Sequence, residues 1–499
     1  MLHRKQAVAR PPRRRCNRQG IRCTRRMLVE TLEKRIVLSL TPIGDPFVHA
    51  DPLFGVDQSH VRVAASPQAT QDSFVTVFEA DARDGDGLGV YAQIHSAGNV
   101  DTIQVNTTTA GNQSHPDVAI FGDGAFVVTW QGPAMNAGDG MDVFFRRFDA
   151  TGNELTAETR VNTTTAGDQV NPVVDSDASR NRQFVVAWNG PGTDGQDVFA
   201  QFYDTDSSGV VLAGTELQVN TTANGDQVNP DIAMDETLSP STIVVWEGDD
   251  ANGRGILSQR FDSQNVPQDG EVVVNPFAVL GDQRDPRIAI DGVIAISFIG
   301  PYDGLTQTDA LYGAVGGSID GRATFNDFLI SKGGLNPIGG HDVVVVDQLD
   351  NLQFAFGWTN GNQITLTQYE GLSFSTGAAV PTFAARQIVP IEVDLVAGLS
   401  ESMITGADLS LAATLGSSGT FFSDGLLLVT NPIATTAAND PARQSVLWDF
   451  DVSPERLILN VDTGFPTRVK VFDDINGDGV QDTGEEPVEG FTFFIDSNG

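Results

Sequence analysis

Asp474-Ile-Asn476-Gly-Asp478-Gly479-Val480-Gln-Asp482-Thr-Gly-Glu485 fits the spacing D-x-[DN]-x-[DN]-G-x5-E at every specified position. Calcium takes roughly six to eight hard oxygen ligands, and alternate residues of a tight loop can aim Asp474, Asn476 and Asp478 at one point. Gly479 permits the sharp turn, and Val480 offers its carbonyl. Asp482 would act directly or through water, and Glu485 would close the site with both carboxylate oxygens. The chemistry expected here is calcium binding. The runs on either side, Thr467–Phe472 and Val488–Ile495, read as strands, so the loop lacks flanking helices.

Other acidic loops recur along the chain: Asp84-Gly-Asp86-Gly87, Asp139-Gly140, Asp194-Gly195 and Asp249-Asp250. They could hold cations, but Asx-Gly pairs also make hairpin turns, which is the plainer reading. Asn106-Thr-Thr108, Asn162-Thr-Thr164 and Asn220-Thr-Thr222 spell glycosylation sequons, yet their repetition at one position favours side chain-to-backbone turn bonding. Asp175 and Asp235 also recur, and a strand-end turn explains them. The histidines are His3, His49, His60, His95, His115 and His341, none in an H-E-x-x-H pair. A nucleophile elbow, a phosphate loop and a dinucleotide fingerprint are all missing in suitable context. Two carboxylates suffice for glycoside hydrolysis, but among 65 acids the sequence favours no pair.

The elements that would carry these residues come from a repeat. Val-Asn pairs stand at 105, 161, 219 and 274, with spacings of 56, 58 and 55. Around them the chain reads QVNTTTAGNQSHPDVA, RVNTTTAGDQVNPVVD and QVNTTANGDQVNPDIA. Each copy holds four short runs rich in Val, Ile, Phe, Trp and Thr: the Val-Asn run, the run after the proline, and runs like Phe126–Trp130 and Val143–Phe148. Four strands per copy, at a period just above that of typical propeller repeats, predict β-propeller blades. The third run is apolar on nearly every residue, as expected of a strand covered on both faces. Phe78, Trp130, Trp188, Trp246, Phe298 and Trp358 align 52 to 60 residues apart, which predicts about six four-stranded blades over 61–388.

Beyond the repeats, 389–466 reads as a β-rich spacer or small β-sandwich, with strands at Glu392–Val396, Asp408–Ala413, Thr420–Thr430, Ser445–Val452 and Arg456–Val461. The net charge of -35 is divided: residues 1–40 hold twelve Lys/Arg against Glu30 and Glu33, while the other 459 hold eighteen against 63 acids. So acidic a body repels nucleic acid and anionic membranes and attracts divalent cations. Cys16 and Cys23 both lie in the basic arm, which leaves 41–499 without thiol or disulfide chemistry. No apolar run is long enough for a transmembrane segment.

Two resemblances add expectations. Met27–Ser39, through Leu32-Glu33-Lys34-Arg35 and Ile36-Val37-Leu38-Ser39, resembles the LEPR-type leader of exported planctomycete proteins, with Lys34 where that pattern has proline. It implies export. The stretch VFDDINGDGVQDTGEEPVEGFTFFIDSNG within 467–499 resembles the start of an SdrD-type B repeat, a calcium-bearing prealbumin-like sandwich of surface adhesins. The expected organisation is therefore an arm and leader (1–40), a linker (41–60), propeller repeats (61–388), a spacer (389–466) and a truncated B repeat (467–499). The resemblances imply a non-enzymatic secreted or cell-surface calcium-binding protein of adhesion or envelope structure, with extracellular glycan or matrix protein as partner. The alternative is a glycan-directed propeller hydrolase or lectin.

Overall fold

The fold was taken from a computed structural model. It describes residues 39–42, 47–48, 58–65, 73–81, 84–96, 99–134, 140–176, 183–205, 211–222, 224–235, 241–250, 253–275, 281–290, 293–302, 309–319, 322–332, 338–348, 351–360, 363–370, 385–391, 408–414, 425–431, 446–453, 457–462 and 468–473. Every regular element among them is a β-strand. The basic arm, all but Ser39 of the leader-like stretch, the expected strand Glu392–Val396 and the loop 474–485 lie outside the described residues.

Six antiparallel sheets follow one another along the chain. Their first strands are Gln58–Ala65, Ser114–Ile120, Val170–Ser176, Val228–Asp235, Arg284–Ile290 and Ile338–Gln348. In the second sheet the order runs Ser114–Ile120, Phe126–Pro133, Met141–Phe148, Thr159–Arg160, each strand hydrogen-bonded to the next. This all-β stack is propeller-like. First strands of successive sheets pack on one another from the first sheet to the sixth.

The repeat is out of phase with the reading made from sequence. Its Val-Asn run does not open a unit; it is the outer edge of the sheet before. Val105 N–H donates to Val90 O (2.8 Å) and Val161 N–H to Val143 O (2.8 Å), which ties each Val to the third strand of its own sheet. Ala-Gly-Asp-Gln then crosses to the next sheet. The doubly apolar run is the second strand, and its burial explains its composition: Phe126–Gly132 are all buried.

The stretch 389–466 contributes Asp408–Thr414, Gly425–Asn431 and Val446–Ser453, which form a seventh sheet. Ser39–Pro42 pairs with Val446–Ser453 in register Ser39↔Ser453 to Pro42↔Phe450, and Phe47–Val48 pairs with the same strand. Asp408–Thr414 packs on the first strands of both the sixth and the first sheets. The chain divides into 37–455 and a second unit of 1–36 with 456–499, in which Leu457–Asp462 pairs with Arg468–Asp473.

The core lies between sheets. One cluster joins Val77 and Ile94 of the first sheet to Trp130 and Phe144 of the second; another joins Val143 and Phe145 to Phe184 and Trp188 of the third. Trp130, Trp188 and Trp246 are fully buried. By area, each buries apolar surface equivalent to at most about 5 kcal/mol. Burying an indole also buries its N–H, and the repeat supplies the acceptor. Trp130, Trp188 and Trp246 donate Nε1–H to the Oε1 of Gln113, Gln169 and Gln227 at 3.1, 2.9 and 2.8 Å. Those glutamines each end a Gly-(Asp/Asn)-Gln triplet. A Cβ on Gly190, two residues after Trp188, would run into the Gln169 carboxamide, so a side chain there would displace the acceptor of the indole.

The buried Asn of each Val-Asn pair completes the junction. Asn106, Asn162, Asn220 and Asn275 accept the N–H of Val90, Val143, Val198 and Ile256 at 2.8 to 2.9 Å. The Nδ2 atoms of Asn106, Asn162 and Asn220 donate to Thr108, Thr164 and Thr222 carbonyls, so the sequon-like triplets are turns. Outside them, Glu158 accepts four hydrogen bonds from Thr107 and Thr108 of the preceding sheet, and Glu216 accepts four from Thr163 and Thr164. Burial alone would raise both carboxyls, yet these donors hold them below the usual range.

Three outcomes follow. Gln169→Ala strands a buried indole N–H and should cost about 1–3 kcal/mol in denaturant unfolding. The double variant Glu158→Gln/Glu216→Gln should lose about 1–2 kcal/mol per site at pH 7. Because both folded pKa values are depressed, that contribution is complete above the ordinary carboxylate pKa and disappears as pH falls through the folded values. The Tm gap to the parent should therefore close on acidification. Deleting residues 1–48 removes two strands from the seventh sheet and should lower the Tm of the main unit in calorimetry.

Candidate functional site at the first strands

The first strand of each of the six sheets is irregular in the same place. Register shifts fall at Ser59/Arg62, Ser114/Asp117, Val170/Val173, Val228/Asp231, Arg284/Arg287 and Ile338/His341. In the first five, the bulged residue is non-glycine with positive φ: His60 (48°), His115 (54°), Asn171 (54°), Asn229 (52°) and Asp285 (55°). His, Asn and Asp tolerate the left-handed region better than other side chains, and bulges re-aim side chains next to functional sites.

The residues following Phe78, Trp130 and Trp246 hold three of these bulges. Glu79 Oε2 accepts the His115 N–H of the next sheet (3.0 Å), Gln131 Oε1 that of Asn171 (2.8 Å), and Glu247 Oε1 that of Asp285 (2.7 Å). Asn171 Nδ2 donates to Asn189 Oδ1 and to Asn229 Oδ1, and Asn229 Nδ2 donates to Glu247. The result is a continuous polar chain from sheet to sheet.

One step further along the same strands stand Arg62, Asp117, Asp231, Arg287 and His341. Their charges interact across the molecule rather than only between neighbours: Asp231 with Asp117 and Asp342, Asp117 with Asp342, and Asp285 with Arg62. Residues of the first, second, fourth, fifth and sixth sheets thus act on one another. Asp285 is 2.9 Å from Arg287 Nη1 and 3.5 Å from His341 Nε2. Burial would raise its carboxyl, but Arg287, His341, Arg62 and Arg284 hold it below the ordinary range. Asp231 goes the other way. Crowding by protein pushes it up to about 7, with Arg287 opposing and Asp342 reinforcing the shift. Burial lowers His341 to about 4, so its imidazole is neutral at pH 7; its Nδ1 lies 3.0 Å from Ser297 Oγ. Two carboxyls that act on the same arginine are thus shifted in opposite directions.

At the first and second sheets, His60, Glu79 and His115 bring one ligand atom each within 4.8 Å of one another, so this cluster could coordinate a metal ion. His60 Nδ1 is 2.7 Å from Glu79 Oε1, and the two imidazole centroids are 4.1 Å apart.

The residues expected from sequence fall elsewhere. Asp474, Asn476, Asp478, Val480, Asp482 and Glu485 lie outside the described residues. Among the acid-glycine loops, Asp84 accepts from Asn106 Nδ2 and Asp86 from Gly111 N–H, in keeping with a turn role, and these loops join second to third strands. Asp175 Oδ2 accepts the Met234 N–H of the next sheet, a tie between first strands rather than a strand-end turn. Sequence reasoning passed over Asp231, Asp285, His60 and His115. For His115, Asp231 and Asp285 the available clue was their place beside a repeat proline; His60 has Val61 where that proline would stand.

No protein-family model and no curated protein matches the chain. Solved structures do resemble it. An α-L-arabinanase of Penicillium chrysogenum, complexed with arabinobiose, has 15% identity and a TM-score of 0.41, over 68% of this chain and 93% of that one. An α-L-arabinofuranosidase of Fusarium graminearum, with an iminosugar inhibitor, has 13% identity and a TM-score of 0.43, over 66% and 91%. A polysaccharide lyase has 7% identity and a TM-score of 0.43, over 78% and 90%. The expectation of a non-enzymatic, calcium-binding adhesion protein is corrected accordingly. These similar structures are named as an arabinanase, an arabinofuranosidase and a polysaccharide lyase. No helix among the described residues is long and apolar enough to cross a membrane.

Proposed function

We propose that residues 37–455 form a seven-bladed propeller whose axial groups hydrolyse a glycosidic bond, with Asp231 as proton donor and Asp285 as the ionised partner. The cyclic order of first-strand contacts, from the seventh sheet back to the first, supports the ring. Ser39–Pro42 then serves as the outer strand of the last blade. The observation that carries the activity is the opposed titration of two carboxyls beside Arg287: Asp231 raised to about 7, Asp285 held low. Cleaving an acetal needs a carboxylic acid to protonate the departing oxygen and a carboxylate to offset charge at the anomeric carbon. Asp231 gives its proton as the C–O bond breaks. Asp285 stabilises the positive carbon until water adds, and the proton released by that water restores Asp231. Arg62 and Arg287 offer donors to sugar oxygens. The chemistry requires no nucleophilic serine or cysteine, in agreement with the motifs missing from the sequence.

Asp231→Asn should reduce turnover by about 10²- to 10⁴-fold, and the parent's rate should fall as pH rises through about 7. The groups facing Asp231 are Arg287, Asp342 and Asp117. Its folded pKa lies above the ordinary 3.8, so its contribution to stability is complete below that value and lost as pH rises through about 7. Asn mimics the protonated form, and the variant's Tm should be flatter over that window. Assays of neutral and acidic polysaccharides, arabinan included, check the reading. Binding without turnover, or equal turnover by parent and variant, overturns it.

A further inference from the structure

We infer that His60, Glu79 and His115 form a site for a divalent transition metal of the zinc class, at the junction of the first two sheets. The inference stands apart from hydrolysis at Asp231 and needs no glycan. Its three ligand atoms already lie within 4.8 Å of one another. Zinc–ligand bonds of about 2.0–2.2 Å require donors roughly 3–3.6 Å apart, so closure asks for adjustments on the order of an ångström. Two imidazoles and one carboxylate select zinc-like ions over calcium, which prefers six or more oxygens.

The surroundings are built to hold these side chains in place. Both histidines occupy left-handed bulge positions, which fix where their Cβ atoms point. Glu79 is 3% exposed and is oriented by the Ser59 hydroxyl at 2.7 Å and the His115 N–H at 3.0 Å. Such supporting hydrogen bonds are what metal-binding carboxylates carry. The histidines are themselves only partly buried, so three protein ligands leave a fourth position open to water or substrate.

The repeat supplies the independent argument. At the bulge, the third, fourth and fifth sheets carry Asn171, Asn229 and Asp285. Asn suffices there for both the backbone conformation and the hydrogen bonds to the neighbouring sheet. Histidine replaces it only at the first two bulges, which are adjacent in space, and between them lies Glu79, at a position where the second, third and fourth sheets have Gln131, Asn189 and Glu247. The two histidines are the departures from the repeat; they fall together beside a buried carboxylate, and only there, among the described residues, does the repeat bring two imidazoles and a carboxylate to one point.

The test uses the full chain carrying Cys16→Ser and Cys23→Ser, which removes the thiols of the basic arm as competing ligands. After chelator treatment, Zn²⁺ is titrated calorimetrically and Co²⁺ by visible absorption. One equivalent should bind, with a tetrahedral Co²⁺ spectrum and a rise in Tm. His60→Asn and His115→Asn install the residue the repeat itself uses at this backbone position, so the fold should persist. Each should weaken Zn²⁺ binding at least about 100-fold and erase the Co²⁺ band. Glu79→Gln, which keeps the size of the side chain, should weaken binding as well. Zn²⁺ affinity unchanged in all three variants, no bound equivalent in the parent, or displacement of Zn²⁺ by equimolar Ca²⁺ overturns the assignment.

Discussion

The constraint on which this fold depends is polar: a chain passing from one sheet to the next through an apolar layer must leave no N–H unpaired. Backbone donors stranded there would each cost about 1–3 kcal/mol. The protein meets this with one buried Asn per junction, which accepts the Val90, Val143, Val198 or Ile256 N–H. The crossing segment continues the same device. Its Asp or Asn caps the start of the third strand, as Asp168 does for Met141 N–H and Asp226 for Gln196 N–H, and its Gln receives the indole. Conserving these partners fixes the length of each crossing, and equal crossings bring the first strands into alignment.

The fifth sheet shows that this is a network rather than a set of separate bonds. Phe298 stands where four other sheets have Trp, so Gln283 has no indole to receive. Gly255 stands where Asp142 and Asp197 receive the Asn Nδ2 in the second and third sheets. The two losses cancel, because Asn275 Nδ2 donates to Gln283 Oε1 at 2.8 Å. A change in one repeat is tolerated when a neighbouring change supplies the missing partner.

Much of the scaffold was legible in the residues. The four strands per unit, the doubly covered FVVTW-type strand and the equivalence of Trp130, Trp188 and Trp246 all follow from local composition and period. The phase of the repeat did not, because the Val-Asn run reads as a strand whichever sheet it joins; only Val161 bonding to Val143 decides. The seventh sheet was hidden for a different reason. Ser39 pairs with Ser453 across almost the whole chain, and no local pattern encodes a contact of that separation. The charged site was missed because it takes a residue or two from each of five sheets. Asp231 and Asp285 stand more than fifty residues apart and acquire a shared chemistry only when their strands meet.

The same geometry explains why chemistry collects at the axis in so acidic a body. Beyond residue 40 the chain has eighteen Lys/Arg against 63 acids, yet Arg62, Arg284 and Arg287 all act on Asp285. Exposed carboxylates elsewhere are solvated and need no partner. Converging first strands cannot offer that solvation to every acid they carry. Arginine keeps Asp285 ionised, whereas Asp231, crowded by protein and facing Asp342 and Asp117, retains its proton to about 7. Equivalent slots on successive first strands, filled with unequal residues, therefore shift two carboxyls in opposite directions. The repeat supplies position, and the departures from it supply function.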